Sequence, residues 1–257
     1  MKIFATYNIK GGVGKTATAV NLSYLAAMEG YRVLLWDLDP QAAASFLFRI
    51  KPRVKGGGKA LIQGRRSIDD AIKGTDFDGL DLLPADFTYR NLDLMLDAAK
   101  QPARRFAGLL APLKREYDLI FLDCPPSISL LSESVLHAAD LLLVPLIPTT
   151  LSVRTLDQLT EFVGGFNGHQ PDILAFFSMI DRRKRLHTQI AADLPAERSD
   201  FATAVIPAVS VIEQMSVHRA PVTAFAPRTQ AARQYRQLWH EARDRAGLAP
   251  ESGLATG

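Results

Sequence analysis

The chain has 257 residues, 47% hydrophobic and 22% charged, which is enough apolar material for one substantial core and too short for two large domains. Its single cysteine, Cys124, excludes an intramolecular disulfide framework and a cysteine cluster for metal within one chain, and no run of about 18 apolar residues marks a membrane span. The formal net charge is only +3 while the isoelectric point is near 9.0, so the distribution of the cations says more than their sum.

The pattern over residues 2–7 predicts a buried strand, and no charged leader precedes it, so the protein is expected in the cytoplasm. Directly after it comes Lys10-Gly11-Gly12-Val13-Gly14-Lys15-Thr16, then an alanine-rich helical pattern over 15–29. Three glycines within four residues let successive N–H groups turn inward, and a helix starting near Gly14 adds its positive end to the same spot. That is a cradle for a polyphosphate. Lys15 supplies a point charge to the β and γ phosphates, and the Thr16 hydroxyl is placed to hold a bridging magnesium ion. Where the common form of this loop begins with glycine, six residues before Lys15, the chain has Ile9, followed by Lys10. Lys10 should point outward, away from its own nucleotide and within reach of a neighbour's.

A strand over 32–37 runs into Asp37-Leu38-Asp39-Pro40-Gln41. Two carboxylates at the carboxyl end of a parallel strand sit where open α/β sheets bind ligands, and Asp39 is also placed to cap a helix over 41–48. Residues 51–64 lose periodicity around Gly56-Gly57-Gly58 and read as a mobile surface loop. There follow a short helix over 67–74, a strand over 80–84 and a helix over 91–113 broken at Pro102. The apolar strand 117–123 ends in Asp123, and Pro125 and Pro126 stiffen the loop beyond it. A helix over 132–139, a strand over 141–145, a helix over 156–166 and strands over 173–180 and 203–207 complete the alternation. Over 228–247 a helix presents Ala232, Tyr235, Leu238, Trp239 and Ala242 on one face, expected to pack on the core rather than on a membrane. The expected fold is α/β, with a mostly parallel central sheet flanked by helices, one domain over 1–247 and a flexible tail over 248–257.

The KGGVGKT stretch resembles, residue for residue, the deviant Walker A signature of the ParA/MinD family of P-loop ATPases, and Asp37 to Gln41 and Asp123 to Pro126 resemble its two switch motifs. The resemblance favours the partitioning (ParA) branch and implies ATP and Mg2+ as cofactors. It places the nucleotide on Gly11, Gly12, Val13, Gly14, Lys15, Thr16 and Ala17, with Met179 and Pro207 at the base, and the metal near Thr16, Asp37 and Asp123. Ala17 stands where many members carry a threonine touching the α phosphate, a loss of one hydrogen bond or about 0.5 to 1.5 kcal/mol. Ser178 or Met179 replaces an asparagine that reads the base in some relatives. The catalytic roles implied are Lys15 on the phosphates, Asp39 on the attacking water, and Lys10 acting across an ATP-dependent homodimer on the partner's triphosphate.

Basic residues are clustered. Seven lysines and arginines without an acid lie between Arg49 and Arg66; Arg182-Arg183-Lys184-Arg185 form a second run, and Arg219, Arg228, Arg233 and Arg236 a looser third. Such groups suit a polyanion. With the resemblance, Arg182, Arg183, Arg185, Arg219 and Arg228 are expected to contact non-specific double-stranded DNA, so that the protein is nucleoid-associated and positions or segregates a cargo. A partner of the ParB or cargo-adaptor kind is implied as stimulator of a slow ATP hydrolysis. The alternative, a MinD-like membrane-surface ATPase, needs a terminal targeting helix. Bridging cysteines for electron transfer and a C-terminal tyrosine cluster are both missing.

Overall fold

The computed structural model describes residues 1–98 and 101–248. Strands β1 (Lys2–Thr6), β2 (Val33–Asp37), β3 (Lys73–Gly74), β4 (Leu80–Leu83), β5 (Leu119–Asp123), β6 (Leu141–Leu146), β7 (Asp172–Ile180) and β8 (Phe201–Pro207) form one sheet in the order β3-β4-β2-β5-β1-β6-β7-β8. Every pair is parallel except β3 with β4. Among the described residues the α-helices are α1 (Lys15–Met28), α2 (Ala43–Leu47), α3 (Gly57–Ile62), α4 (Leu92–Asp97), α5 (Pro102–Leu110), α6 (Leu130–Ala138), α7 (Thr150–Gly164), α8 (Arg185–Glu197), α9 (Ser210–Glu213), α10 (Met215–His218), α11 (Val222–Phe225) and α12 (Gln230–Arg245).

Successive residues of β5 alternate between two cores: Leu119 and Phe121 enter one, Ile120 and Leu122 the other. A strand buried on both faces needs apolar residues at every position, which is why these strands read as unbroken hydrophobic runs. Helices α1 and α12 cover the first face, where Phe4 meets Phe121 edge to face at 5.2 Å and Trp239 lies 6.3 Å from both rings. The predicted face of α12 is buried throughout, from Ala232 to Ala242. Helices α3 to α7 cover the second face, with Trp36 stacked on Phe106 at 5.5 Å. No helix among the described residues is long and apolar enough to cross a membrane.

The sheet's two margins are treated differently. On β8 the amides of Thr203 and Ala204 donate to Glu241, and that of Val205 to Gln234, so side chains of α12 take the place of a further strand. The other margin, β3, is only two residues long.

Several local expectations are corrected. Residues 51–64 are not a loop throughout: Gly57–Ile62 is helical, and Val54, Leu61 and Ile62 are buried. The helix expected over 67–74 is one 3-10 turn, Asp69–Ala71, followed by β3. The helix placed at 156–166 begins at Thr150, because the Thr149 side chain accepts the Ser152 amide and caps it. Helix α8 was not anticipated. The tail expected over 248–257 lies outside the described residues except for Leu248.

Candidate functional site

Because neighbouring strands are parallel, their carboxyl ends lie along one edge, and β1 sits where the strand order reverses, between β5 and β6. A crevice forms there. Gly12 (φ 69°) and Gly14 (φ 96°) take left-handed backbone, and a Cβ on Gly14 would stand 2.8 Å from Ser178 Oγ. Only glycine fits. The loop is anchored from below by Asn8, a buried residue whose Nδ2 donates to Pro145 O at 2.7 Å and whose Oδ1 accepts the Lys10 amide at 2.9 Å. Lys15 is 7% exposed, and its Nζ donates to Lys10 O at 2.9 Å, which holds the ammonium at the loop's mouth. Burial lowers its pKa, while Asp123, Cys124 and Asp39 act in the opposite sense. Lys10 turns elsewhere: its Nζ donates to Ser152 Oγ at 3.4 Å, in the first turn of α7.

The acids divide their work. Asp123 is fully buried; its Oδ1 accepts the Thr6 hydroxyl at 3.3 Å and its Oδ2 has no hydrogen-bond partner. Burial raises its pKa well above the carboxylate range, Asp37 adds to this, and the Thr16 hydroxyl and Lys15 oppose it. A buried carboxylate oxygen without a donor, beside a threonine hydroxyl, suits the hydrated shell of a hard cation. Asp37 is held by donors on both oxygens. Its Oδ2 accepts both the amide and the hydroxyl of Ser45 at 2.8 Å, and its Oδ1 accepts the Asp39 amide at 3.3 Å. Burial pushes its pKa up to about 6, against the pull of those Ser45 bonds. Asp37 thus braces α2 and the backbone of Asp39. Asp39 lines the cleft, and its Oδ1 accepts the Gln41 amide at 2.9 Å. It closes a turn and does not cap the helix, which starts at Ala43 behind a left-handed Ala42.

Of these groups the loop glycines, Lys15 and Asp39 line a cleft of about 350 Å3, while Asn8, Lys10, Asp37 and Asp123 lie behind or beside its wall. Gly11, Gly12, Gly14, Lys15, Thr16 and Ala17 form one end. At the other, Ser178, left-handed Met179 and Pro207 meet, Pro207 being in register with Ile180 across β7 and β8. Val13 is 1% exposed and absent from the lining, so it offers only backbone. Pro126, Ile206, Ala208 and Tyr235 also line the cleft, with Val209, Ile212 and Glu213, which went unread in the sequence as did Asn8 and Ser45. Each is a single residue in a short segment with no motif spacing around it.

The five arginines expected on DNA all lie outside the cleft, in two places. Arg182, Arg183 and Arg185 are exposed on the turn from β7 into α8, with Arg183 gripping Asp181 through two bonds of 2.9 and 2.8 Å. That pairing pulls the Asp181 carboxyl down to about 2. Arg219 ends α10 and Arg228 precedes α12. Among the described residues no group of three or more histidine, cysteine or acidic residues is arranged to hold a metal ion.

Residues 1–175 match a family model described as an AAA domain. Over 246 residues the chain is 32% identical to the sporulation initiation inhibitor protein Soj of Bacillus subtilis, covering 93% of this chain and 97% of that protein. The chain belongs to the ParA/MinD family. Another ParA/MinD relative, the chromosome partitioning protein ParA of Caulobacter vibrioides, is 30% identical over 249 residues, 94% of this chain and 93% of that one. The ParA/MinD fold is seen again in the septum site-determining protein MinD of Pyrococcus horikoshii, solved with Mg-ADP. That structure covers 96% of this chain and 97% of its own with a TM-score of 0.77 at 22% identity.

Proposed function

We propose that this protein is a ParA-type ATPase that binds ATP and magnesium, pairs face to face with a second copy, holds DNA without regard to sequence while paired, and lets go on hydrolysis. The observation that carries the reading is the division between the two loop lysines. Lys15 stays at the mouth of its own cradle, whereas the Lys10 ammonium leaves the loop for Ser152 on α7. A cation in that position serves a triphosphate presented by another subunit.

The chain's own groups then have distinct tasks. The loop amides and Lys15 bind and orient the phosphates, and Thr16 and Asp123 would hold the magnesium. Magnesium, when bound, draws charge from the β and γ phosphates. Asp39 at the cleft wall orients water for attack, and Asp37 holds Asp39 in place through its amide. Pairing doubles the number of basic groups facing DNA, and affinity rises steeply with each phosphate neutralised. A cargo-bound partner protein would supply the stimulus for hydrolysis. The burial of the apolar face of α12 leaves it nothing to offer a membrane.

The test is a mobility shift on arbitrary duplex DNA with ADP, ATP and a nonhydrolysable analogue, run beside size exclusion. Dimer and shift should appear together, with the analogue and not with ADP. A shift that ignores the nucleotide, or one confined to a defined DNA site, would overturn the reading.

A further inference from the structure

All four non-glycine residues with left-handed backbone among the described residues line cavities. Met179 lines the nucleotide cleft; Ala42 (φ 58°), Arg49 (φ 59°) and Arg219 (φ 51°) line a second pocket of about 350 Å3. Such backbone persists only where its surroundings enforce it, and it gathers at ligand clamps and switches. Apart from Arg219, every wall of the second pocket comes from residues 41–52, immediately after the first switch.

Two reciprocal bonds close the pocket. Arg49 Nη2 donates to His218 O at 2.9 Å, while Arg219 Nε donates to Phe46 O at 3.0 Å and its guanidinium lies 4.5 Å from the centre of the Phe46 ring. With Lys51, three cations line one cavity that no carboxylate lines; Asp76, which pairs with Arg49 at 2.6 Å, is not among its walls. Asp76 meets the charge of Arg49, so Lys51 and Arg219 carry the pocket's excess positive charge, which an anion with several acceptor oxygens would offset. Gln41 adds an amide donor.

We propose that Gln41, Arg49, Lys51 and Arg219 form a subsite for one backbone phosphate of duplex DNA, coupled through α2 to the nucleotide cleft. The proposal rests on the DNA-binding reading above. The coupling follows from how the pocket is hung. Asp39 accepts the amides of Gln41 and Ala42, and Asp37 holds Ser45 in the middle of α2. A hollow lined by Thr16, Ala17, Gln41, Phe46 and Glu213 runs between the two cavities. Displacement of Asp39 by a triphosphate therefore moves Gln41 and Phe46, and by linkage an occupied phosphate pocket favours one nucleotide state.

The experiment measures affinity of the full chain for random-sequence duplex DNA against salt, with magnesium and a nonhydrolysable ATP analogue, by fluorescence anisotropy. Lys51→Ala should weaken binding and flatten the log–log salt slope by about one unit, while Lys51→Arg should keep the slope. Lys114→Ala, an exposed lysine ahead of β5, controls for net charge and should keep it too. Cooperative thermal unfolding confirms that each variant is folded. If the wild type binds DNA and Lys51→Ala shows an unchanged slope, the pocket assignment is overturned and the broader reading stands; if the wild type does not bind, both fall. A last arm replaces chloride by inorganic phosphate at matched ionic strength. Competition lost in Lys51→Ala together with the flattened salt slope supports the DNA assignment, whereas competition lost with the slope unchanged would assign the pocket to the free ion and overturn it.

Discussion

Asp37 and Asp123 face each other in register at the ends of adjacent parallel strands, β2 and β5, both fully buried. Two carboxylates so placed cannot both ionise cheaply in the free protein. For Asp37 the pKa is pushed up to about 6, so the folded chain holds this proton more tightly than the unfolded one. Its stabilising effect is complete below about pH 4 and disappears as pH rises through 6. In the absence of magnesium and nucleotide, Asp37→Asn should therefore gain on the wild type as pH rises from 4 to 8, by up to about 2 kcal/mol. Urea unfolding across that range measures it, and parallel curves for the two proteins would show that Asp37 ionises normally.

Lys10→Ala should leave the affinity for ATP largely intact and abolish ATP-dependent dimerisation, with turnover reduced by roughly 10³-fold, the scale of a cation supplied from another subunit. Nucleotide titration beside light scattering separates the two effects. Collapse of monomer affinity would place Lys10 in its own site.

Asp39→Ala should bind ATP, pair and stay on DNA, because the group that orients water is gone while the cradle is untouched. Hydrolysis should fall by about 10²- to 10⁴-fold. Phosphate release decides it, and near-normal turnover would refute the assignment.

Gly14→Ala should lose nucleotide binding and cost about 1 to 3 kcal/mol of stability, since it combines a φ of 96° with a Cβ 2.8 Å from Ser178 Oγ. Adding Ser178→Ala removes the clash but leaves the strained φ, so rescue should be partial. Full rescue by the second change would show that only the contact matters.

Ala17→Thr restores a hydroxyl at the cleft wall. One added hydrogen bond to the nucleotide predicts roughly 2- to 10-fold tighter binding, and calorimetry with ADP reads it directly.

How much could be read beforehand follows from the kind of signal each residue leaves. The phosphate loop and Asp39 were legible because their chemistry demands fixed spacing, and the buried strands because both faces are covered. Helix α8 carries only a short apolar stripe, Ile190, Ala191 and Leu194, which packs on the core half-buried, and Pro195 interrupts its pattern. Helix α3 was hidden by its glycines, which serve packing as well as turning, since a Cβ on Gly58 would stand 2.8 Å from Leu92 and 2.9 Å from Tyr89. Asp37 was placed near the magnesium shell on its motif alone, and its bond to Ser45, eight residues along, left no trace in the spacing.

The way α12 closes the β8 margin carries a further consequence. Glu241 and Gln234 occupy the amides through which a foreign strand would dock, and β3 is too short to template one. Open-ended polymerisation by strand addition is therefore disfavoured on both flanks, and the face-to-face pair proposed above uses neither margin and closes on itself by its two-fold symmetry.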